Sequence, residues 1–390
     1  MCASSTNSLN FMHMSELKYP FLDLRATNRR HLSDLKEAAC RVLDSGRYIG
    51  GEECEAFERE MAVLHSTPHC VGVSNGLDAI RLIFRAYILL GRIAPGDEVI
   101  VPANTYIASV LPLTEMGLVP VPVDADPETL NMDTSQVAKT LTQATKAILT
   151  VHLYGRVCYD ATLAELGRRN NLLVIEDNAQ AIGAQSATLS PRGTSISGSL
   201  GDAAAFSFYP TKNIGAVGDA GAVVTADAEL ATTVRALANY GSDRRYHNIY
   251  LGYNCRMDPI QAAFLKIKLK DIAFETDHRR NLAALYDREI DNPLIVKPVV
   301  EKTDGSVWHQ YVVRTDNREG FMAFLNKNGV GCDVHYATPF YRQPCYADRE
   351  WPALPVTDRI CRTVVSLPIS TGTSAQDARE IAAIVNNYKG

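Results

Sequence analysis

The chain lacks the features that mark most non-enzymatic classes. No apolar stretch approaches the ~20 residues that a membrane helix needs. No basic block is present, and a net charge of −5 over 390 residues leaves no footprint for nucleic acid. The nine cysteines, at 2, 40, 54, 70, 158, 255, 332, 345 and 361, never form a Cys-x-x-Cys pair, so neither a zinc site nor a disulfide framework is expected. Such scattered thiols fit a reducing cytoplasm. No Gly-x-Gly-x-x-Gly follows an early strand, so the dinucleotide fingerprint is missing. The opening Met1-Cys-Ala-Ser-Ser-Thr-Asn-Ser has no basic region followed by an apolar core. It is expected to begin a disordered tail over 1–17. Met14 is a second candidate start, since organised sequence begins near Tyr19-Pro-Phe-Leu-Asp-Leu.

What is present is a long alternation of strand and helix patterns. Residues 31–46 and 52–64 read as helices. Val71-Gly-Val, Glu98–Pro102, Val119–Asp124, Ala147–Tyr154, Leu172–Asp177, Ala203–Phe208 and Gly221–Thr225 read as strands. Helices are predicted over Leu77–Leu90 and roughly 160–170. The near-continuous apolar runs are those of buried parallel strands. The pattern predicts an α/β layer architecture with a mostly parallel sheet in a large domain, 18–275. A smaller α/β domain, 276–390, is expected from strand Trp308–Arg314, helix 318–328, strand Gly331–His335 and a last helix, Ala375–Tyr388, capped by Ser374 or Thr373.

In open α/β sheets ligands bind beyond the carboxyl ends of the strands, so the residues that end each strand are the candidates. Ser74-Asn75-Gly76 closes one strand and opens a helix, which offers free N–H groups and a positive dipole end to a phosphate. Tyr106 offers an aromatic face, Asp177 a carboxylate with Gln180 just beyond, and Ser207 a hydroxyl. Lys212, in Ser207-Phe-Tyr-Pro-Thr-Lys-Asn213 before a glycine-rich run, offers an amine. Each has a plain alternative: a turn glycine, a half-buried tyrosine, a helix-capping aspartate, a solvated lysine. Together they are the parts of a pyridoxal phosphate site, with Lys212 as the amine that holds the cofactor carbonyl as a Schiff base.

Asp177-x-x-Gln180, Ser207–Asn213 and Gly252-Tyr-Asn-Cys-Arg-Met-Asp258 resemble the DegT/DnrJ/EryC1/StrS family of sugar aminotransferases from about Phe21 to the C-terminus, and thirty-five residues separate acid from lysine, as there. Ser74-Asn-Gly-Leu-Asp-Ala and Pro102-Ala-Asn-Thr-Tyr-Ile-Ala-Ser resemble the branch acting on nucleotide-linked 3-keto-6-deoxyhexoses. The resemblance implies the fold-type-I, aspartate-aminotransferase-like architecture and a homodimer with shared active sites. It also implies amino transfer from glutamate to a keto-sugar, dTDP-linked and aminated at C3, for surface polysaccharide or glycoside synthesis. Amination at C4, a UDP-linked sugar and a non-catalytic regulator on this fold are the alternatives.

Carried over by position, the catalytic pair is Lys212 and Asp177. Ser74, Asn75, Gly76, Leu77, Tyr106, Gln180, Ser207 and Asn254 would contact the cofactor, with Asn254 reaching the neighbouring subunit's phosphate. Tyr209, Arg244, Arg245, His309, His335 and Tyr336 are candidates for the substrate; packing in the small domain is the plain alternative for the histidines. Asn178, Cys255 and Pro259 depart from the family's usual Ala, Ser and Glu. Related dehydratases carry histidine in place of the lysine, so Lys212 argues against that chemistry.

Overall fold

A computed structural model describes residues 17–299 and 305–390. The tail expected over 1–17 lies, apart from Leu17, outside the described residues. Three helices lead in: α1 (Leu24–Asn28), α2 (Leu32–Ser45) and α3 (Glu52–Leu64). There follow β1 (His69–Val73), α4 (Gly76–Leu89), β2 (Glu98–Pro102), α5 (Leu111–Glu115), β3 (Val119–Val123), α6 (Thr134–Thr140), β4 (Thr145–Val151) and α7 (Ala161–Asn170). Next come β5 (Leu173–Asp177), β6 (Ala203–Ser207), β7 (Gly221–Thr225), α8 (Ala228–Ala238), a small hairpin of β8 (Ser242–Arg244) and β9 (His247–Asn248), α9 (Pro259–Leu269) and α10 (Ile272–Glu289). The last part holds β10 (Tyr311–Arg314), α11 (Arg318–Lys327), α12 (Pro355–Thr363), β11 (Val364–Leu367) and α13 (Ala375–Asn386).

Seven strands form one sheet in the order β1-β7-β6-β5-β4-β2-β3. Five neighbours run parallel, from β3 to β6, and β7 runs antiparallel between β6 and β1. This register gathers chemistry on one rim. Val73 and Ser207 both lie opposite Gly221, and Asp177 lies opposite both Val151 and Ala205. The carboxyl ends of β1, β6, β5 and β4 thus open on the same side.

Apolar residues cover both faces. On one, α4 buries Ile80, Ile83, Phe84 and Tyr87 against the strands and α8. On the other, α3 and α9 pack Phe57, Met61, Ala262 and Leu265 against β6 and β7. A separate core forms around β10 and β11, with Tyr286 and Leu282 of α10, Phe321 and Leu325 of α11, and Ile381 and Val385 of α13. Residue 275 lies within α10, whose Ile272 packs on the sheet's core while its later turns pack on the second. Tyr19 belongs to the second core as well. It brackets the end of α11 by donating its N–H to the Gly329 carbonyl (2.9 Å) and accepting from Gly331 N–H (2.8 Å), and its hydroxyl donates to Glu380 on α13.

Two expected strands differ. Gly331–His335 makes a single bridge, Asp333 with Ser366, because Gly331 N–H is taken by Tyr19 and His335 turns its side chain onto Ser366. In Trp308–Arg314 pairing starts at Tyr311, since Trp308 sits in the left-handed region at φ 46°. Ser374, rather than Thr373, caps α13, in a reciprocal box with Asp377.

Beneath the rim, Glu176 is fully buried. Its carboxylate accepts from Gly198 N–H (2.7 Å), Leu200 N–H (2.8 Å), Gly201 N–H (2.9 Å) and the His152 imidazole (2.8 Å). Burial alone would raise its pKa; the bonds from His152, Gly201 and Gly198 outweigh it and hold the pKa below the usual 4.5. A depressed folded-state pKa contributes stability that is complete above about 4.5 and lost as pH falls below it. Glu176→Gln is expected to cost about 3 kcal/mol at neutral pH. It should also flatten the acid limb of stability, as read by urea unfolding between pH 7 and 3.

Candidate active site

Asn75 caps α4: its Oδ1 accepts from Asp78 N–H at 2.8 Å. The next N–H groups inward, of Gly76 and Leu77, have no protein acceptor among the described residues. Gly76 presses so closely on β6 that a Cβ there would lie 2.7 Å from Ser207 Cβ and 3.4 Å from its Oγ. Two free N–H groups and a hydroxyl therefore share one spot at a helix start, which suits a phosphate. Ser74 and Asn75 both donate to the Asp78 carboxylate, at 2.5 and 2.8 Å, and so brace this turn from below.

Asp177 is buried at the end of β5. One carboxylate oxygen accepts from Ser109 Oγ (2.7 Å), itself paired with Thr105 (2.8 Å); the other accepts from Ala179 N–H (3.1 Å). The carboxylate is thus oriented and keeps lone pairs for a further donor. Lys212 stands half-buried beyond β6. Burial of its amine lowers the pKa from 10.5 to about 8, against the opposing charge of Asp177. No protein acceptor holds the ammonium among the described residues, so the amine is available for chemistry.

Gln180 is spent on structure. Its Oε1 accepts from Tyr154 N–H (2.6 Å), and its Nε2 donates to the Tyr336 hydroxyl (3.0 Å). Tyr336 in turn lies 5.2 Å, centroid to centroid, from the exposed ring of Tyr106. A cleft of about 1040 Å³ opens beside the loop that carries Lys212, lined by Phe21, Tyr209, Thr211, Arg279, His309 and His335 among others. His309 Nδ1 meets Asn213 Oδ1 at 2.9 Å, while Asn213 Nδ2 donates to the Val307 carbonyl. In this arrangement His309 donates from Nδ1 and keeps Nε2 as an acceptor. Burial drives its pKa well below 6.5, and the charges of Lys212 and Arg279 add to that. Burial lowers the His335 pKa too, opposed by Asp333 and assisted by Lys212. Both shifts favour the uncharged imidazole.

The fold therefore brings Gly76, Leu77, Ser207, Asp177, Lys212, Tyr106, Gln180 and Tyr336 to one rim, and Tyr209, His309 and His335 to its cleft. Asn254 is exposed, and its neighbour Cys255 accepts from Ser74 N–H at 2.9 Å. Arg244 and Arg245 do not line the cleft of their own chain; they sit on the exposed β8–β9 hairpin. Ser109, Asn213 and Arg279 were not singled out in the sequence. Arg279 is buried and donates to the Ile369 carbonyl at 2.7 Å. Ser109 and Asn213 lie inside Pro102–Ser109 and Ser207–Asn213, where local sequence gives them no role of their own; Arg279 looks like any helical arginine.

The sequence profile of the DegT/DnrJ/EryC1/StrS aminotransferase family matches residues 31–386, and the chain belongs to this family. It is similar to the dTDP-3-amino-3,6-dideoxy-alpha-D-galactopyranose transaminase of Aneurinibacillus thermoaerophilus, 44% identical over 95% of this chain and 99% of that one. The UDP-2-acetamido-2-deoxy-3-oxo-D-glucuronate aminotransferase of Pseudomonas aeruginosa is 38% identical over 94% of this chain and 99% of its own. The crystal structure of Streptomyces venezuelae DesV, with a reaction intermediate bound, superposes with a TM-score of 0.89 at 42% identity, covering 94% and 97% of the two chains. The architecture is that of these aminotransferases, and the protein is a pyridoxal phosphate-dependent sugar aminotransferase. The residues present fit that cofactor: an amine without a protein acceptor among the described residues, an oriented buried acid, and two N–H groups with a hydroxyl at a helix start.

Gly76→Ala would push a methyl group onto Ser207 and close the cup. It is expected to weaken pyridoxal phosphate retention about 100-fold or more, the worth of about two charged hydrogen bonds, as read by equilibrium dialysis, with the far-UV circular dichroism kept.

Proposed function

We propose that this enzyme transfers the amino group of glutamate to C3 of a dTDP-linked 3-keto-6-deoxyhexose, with Lys212 and Asp177 as the catalytic pair. The observation that carries the reading is the unpartnered Lys212 amine, its pKa lowered to about 8, beside the oriented carboxylate of Asp177. Bound pyridoxal phosphate supplies a carbonyl for amine exchange and a ring that takes up electron density. Asp177 would keep the ring nitrogen protonated. The Gly76 and Leu77 N–H groups and the Ser207 hydroxyl would hold the phosphate, braced by Ser74 and Asn75. Tyr106 would offer an aromatic face to the ring, and Gln180 fixes Tyr336 near Tyr106. Lys212, neutral in part at pH 7, would carry the one 1,3-proton transfer that each half-reaction needs, taking a proton from one carbon and returning it to the carbon on the far side of the nitrogen. Tyr209, His309, His335 and Tyr336 offer hydroxyl groups and uncharged imidazoles to the sugar.

The preference for a dTDP-linked sugar rests on the Aneurinibacillus relative; the Pseudomonas relative supports a UDP-linked sugar as the second reading. A homodimer with shared sites is part of the proposal. Asn254 is exposed, and the hairpin segment beside it carries Arg244 with Tyr246 (87% exposed) and Leu251 (85%), apolar surface that a second copy would cover. Asn254 would reach the neighbour's phosphate, and Arg244 the neighbour's sugar diphosphate. Residues 18–275 and 276–390 act as the two domains that flank the cleft. We place the reaction in the cytoplasm, in synthesis of a surface polysaccharide such as an O-antigen, or of a glycoside.

Borohydride is expected to fix the cofactor on Lys212, located by peptide mass; a label elsewhere removes the assignment. Lys212→Ala should lower kcat by about 10²–10⁴-fold. In cofactor-free protein, capture of pyridoxal phosphate should accelerate as pH rises through about 8, where the amine becomes neutral. Asp177→Asn removes the charge that raises this pKa, so the midpoint should move below that of the wild type; an upward move contradicts the pairing. A panel of dTDP- and UDP-keto-sugars, with product mass and carbon position read for each, tests the choice of sugar.

A further inference from the structure

The loop that carries Lys212 is fixed by one face of a helix that contributes no residue to the cleft lining. Lys212 N–H donates to the Tyr209 carbonyl, and Ala216 N–H to the Phe208 carbonyl, each at 2.8 Å. Gly215 closes the loop: a Cβ there would lie 2.3 Å from the Pro210 oxygen. On α9, Gln261 and Lys268 are seven residues apart, about two turns, and so share a face. Gln261 takes both main-chain groups of Val217, accepting its N–H and donating to its carbonyl, each at 2.9 Å. Lys268, 7% exposed, donates its Nζ to the Gly215 carbonyl.

An ammonium at that depth is costly. Burial lowers the Lys268 pKa to about 8, against the opposing charge of Glu275. A methionine would fill the same space without the cost. What the amine adds is a donor for a buried carbonyl that would otherwise stay unpaired. That carbonyl lies three residues from Lys212.

We infer that Gln261 and Lys268 are positioning residues: α9 sets the reach of Lys212 by holding its loop at two points. The inference rests on Lys212 being the cofactor lysine. Neither residue lines the cleft, so their removal acts through the loop and takes away no side chain that lines it.

The test uses the holoenzyme and its cofactor-free form, with Lys268→Met and Gln261→Ala. For Lys268→Met, kcat should fall about 10- to 100-fold, the scale of a misplacement near 1 Å. KM for the sugar should stay within about twofold, since ground-state contacts are untouched. Amide hydrogen exchange should accelerate over 213–217 in both forms, with β5 and β6 unchanged. Gln261→Ala should act in the same direction, about threefold or more in kcat, and it carries the test alone if Lys268→Met does not fold. Unchanged exchange over 213–217, unchanged kcat, or a loss seen only in KM overturns the inference. Borohydride labelling of the wild type separates the two readings. A label on Lys212 with both variants unaffected removes the role of α9 alone, whereas a label on another residue removes the reading of Lys212.

Discussion

The site depends on one close approach of backbone to backbone. β7 runs between β1 and β6, and its first residue, Gly221, has no room for a side chain: a Cβ would lie 2.4 Å from the Asn75 carbonyl. Gly76 meets Ser207 as tightly. Two glycines therefore let the turn into α4 sit directly on the end of β6. The free N–H groups, the Ser207 hydroxyl and, five residues on, the Lys212 amine all follow from that contact. The same strand order sets Asp177 on the neighbouring strand, facing the same rim.

Electrostatically the rim separates two kinds of burial. Glu176 and Asp177 are adjacent and both buried, yet they differ in use. Glu176 is saturated by three N–H groups and an imidazole and serves the fold. Asp177 is held by one hydroxyl and one N–H and has capacity left. The alternation of side chains along a strand sends neighbours to opposite faces, so one dipeptide can anchor the loop behind the sheet and present an acid in front. Lys212 and the two histidines show the complementary pattern: desolvation favours the uncharged forms, so the lysine can be a base while the imidazoles remain uncharged beside it.

The sheet was legible because its strands are short apolar runs between glycine-rich and acidic ends, a pattern that depends on local sequence. Asp177, Ser207 and Lys212 were legible as residues at those ends. The second domain was harder. β11 was not read, since Val364-Val-Ser-Leu is too brief to be told from the end of α12, and Gly331–His335 has strand composition without a continuous partner. Ser109, Asn213 and Arg279 stayed hidden because their roles depend on contacts far along the chain: Ser109 to Asp177, Asn213 to His309 and Val307, Arg279 to Ile369. Nothing local distinguishes them from any serine, asparagine or arginine.

Tyr19 has a consequence for the order of assembly. Its main chain brackets the end of α11, and its hydroxyl reaches Glu380 on α13, among the last residues of the chain. Phe21 to Arg25, which follow it, line the cleft. One wall of the cleft is thus made from the first described residues and is held in place by the last helix. During synthesis, which proceeds from the N-terminus, the sheet and its anion cup can form while that wall still waits for its anchor. The cleft acquires its final shape only once α13 has docked behind that wall.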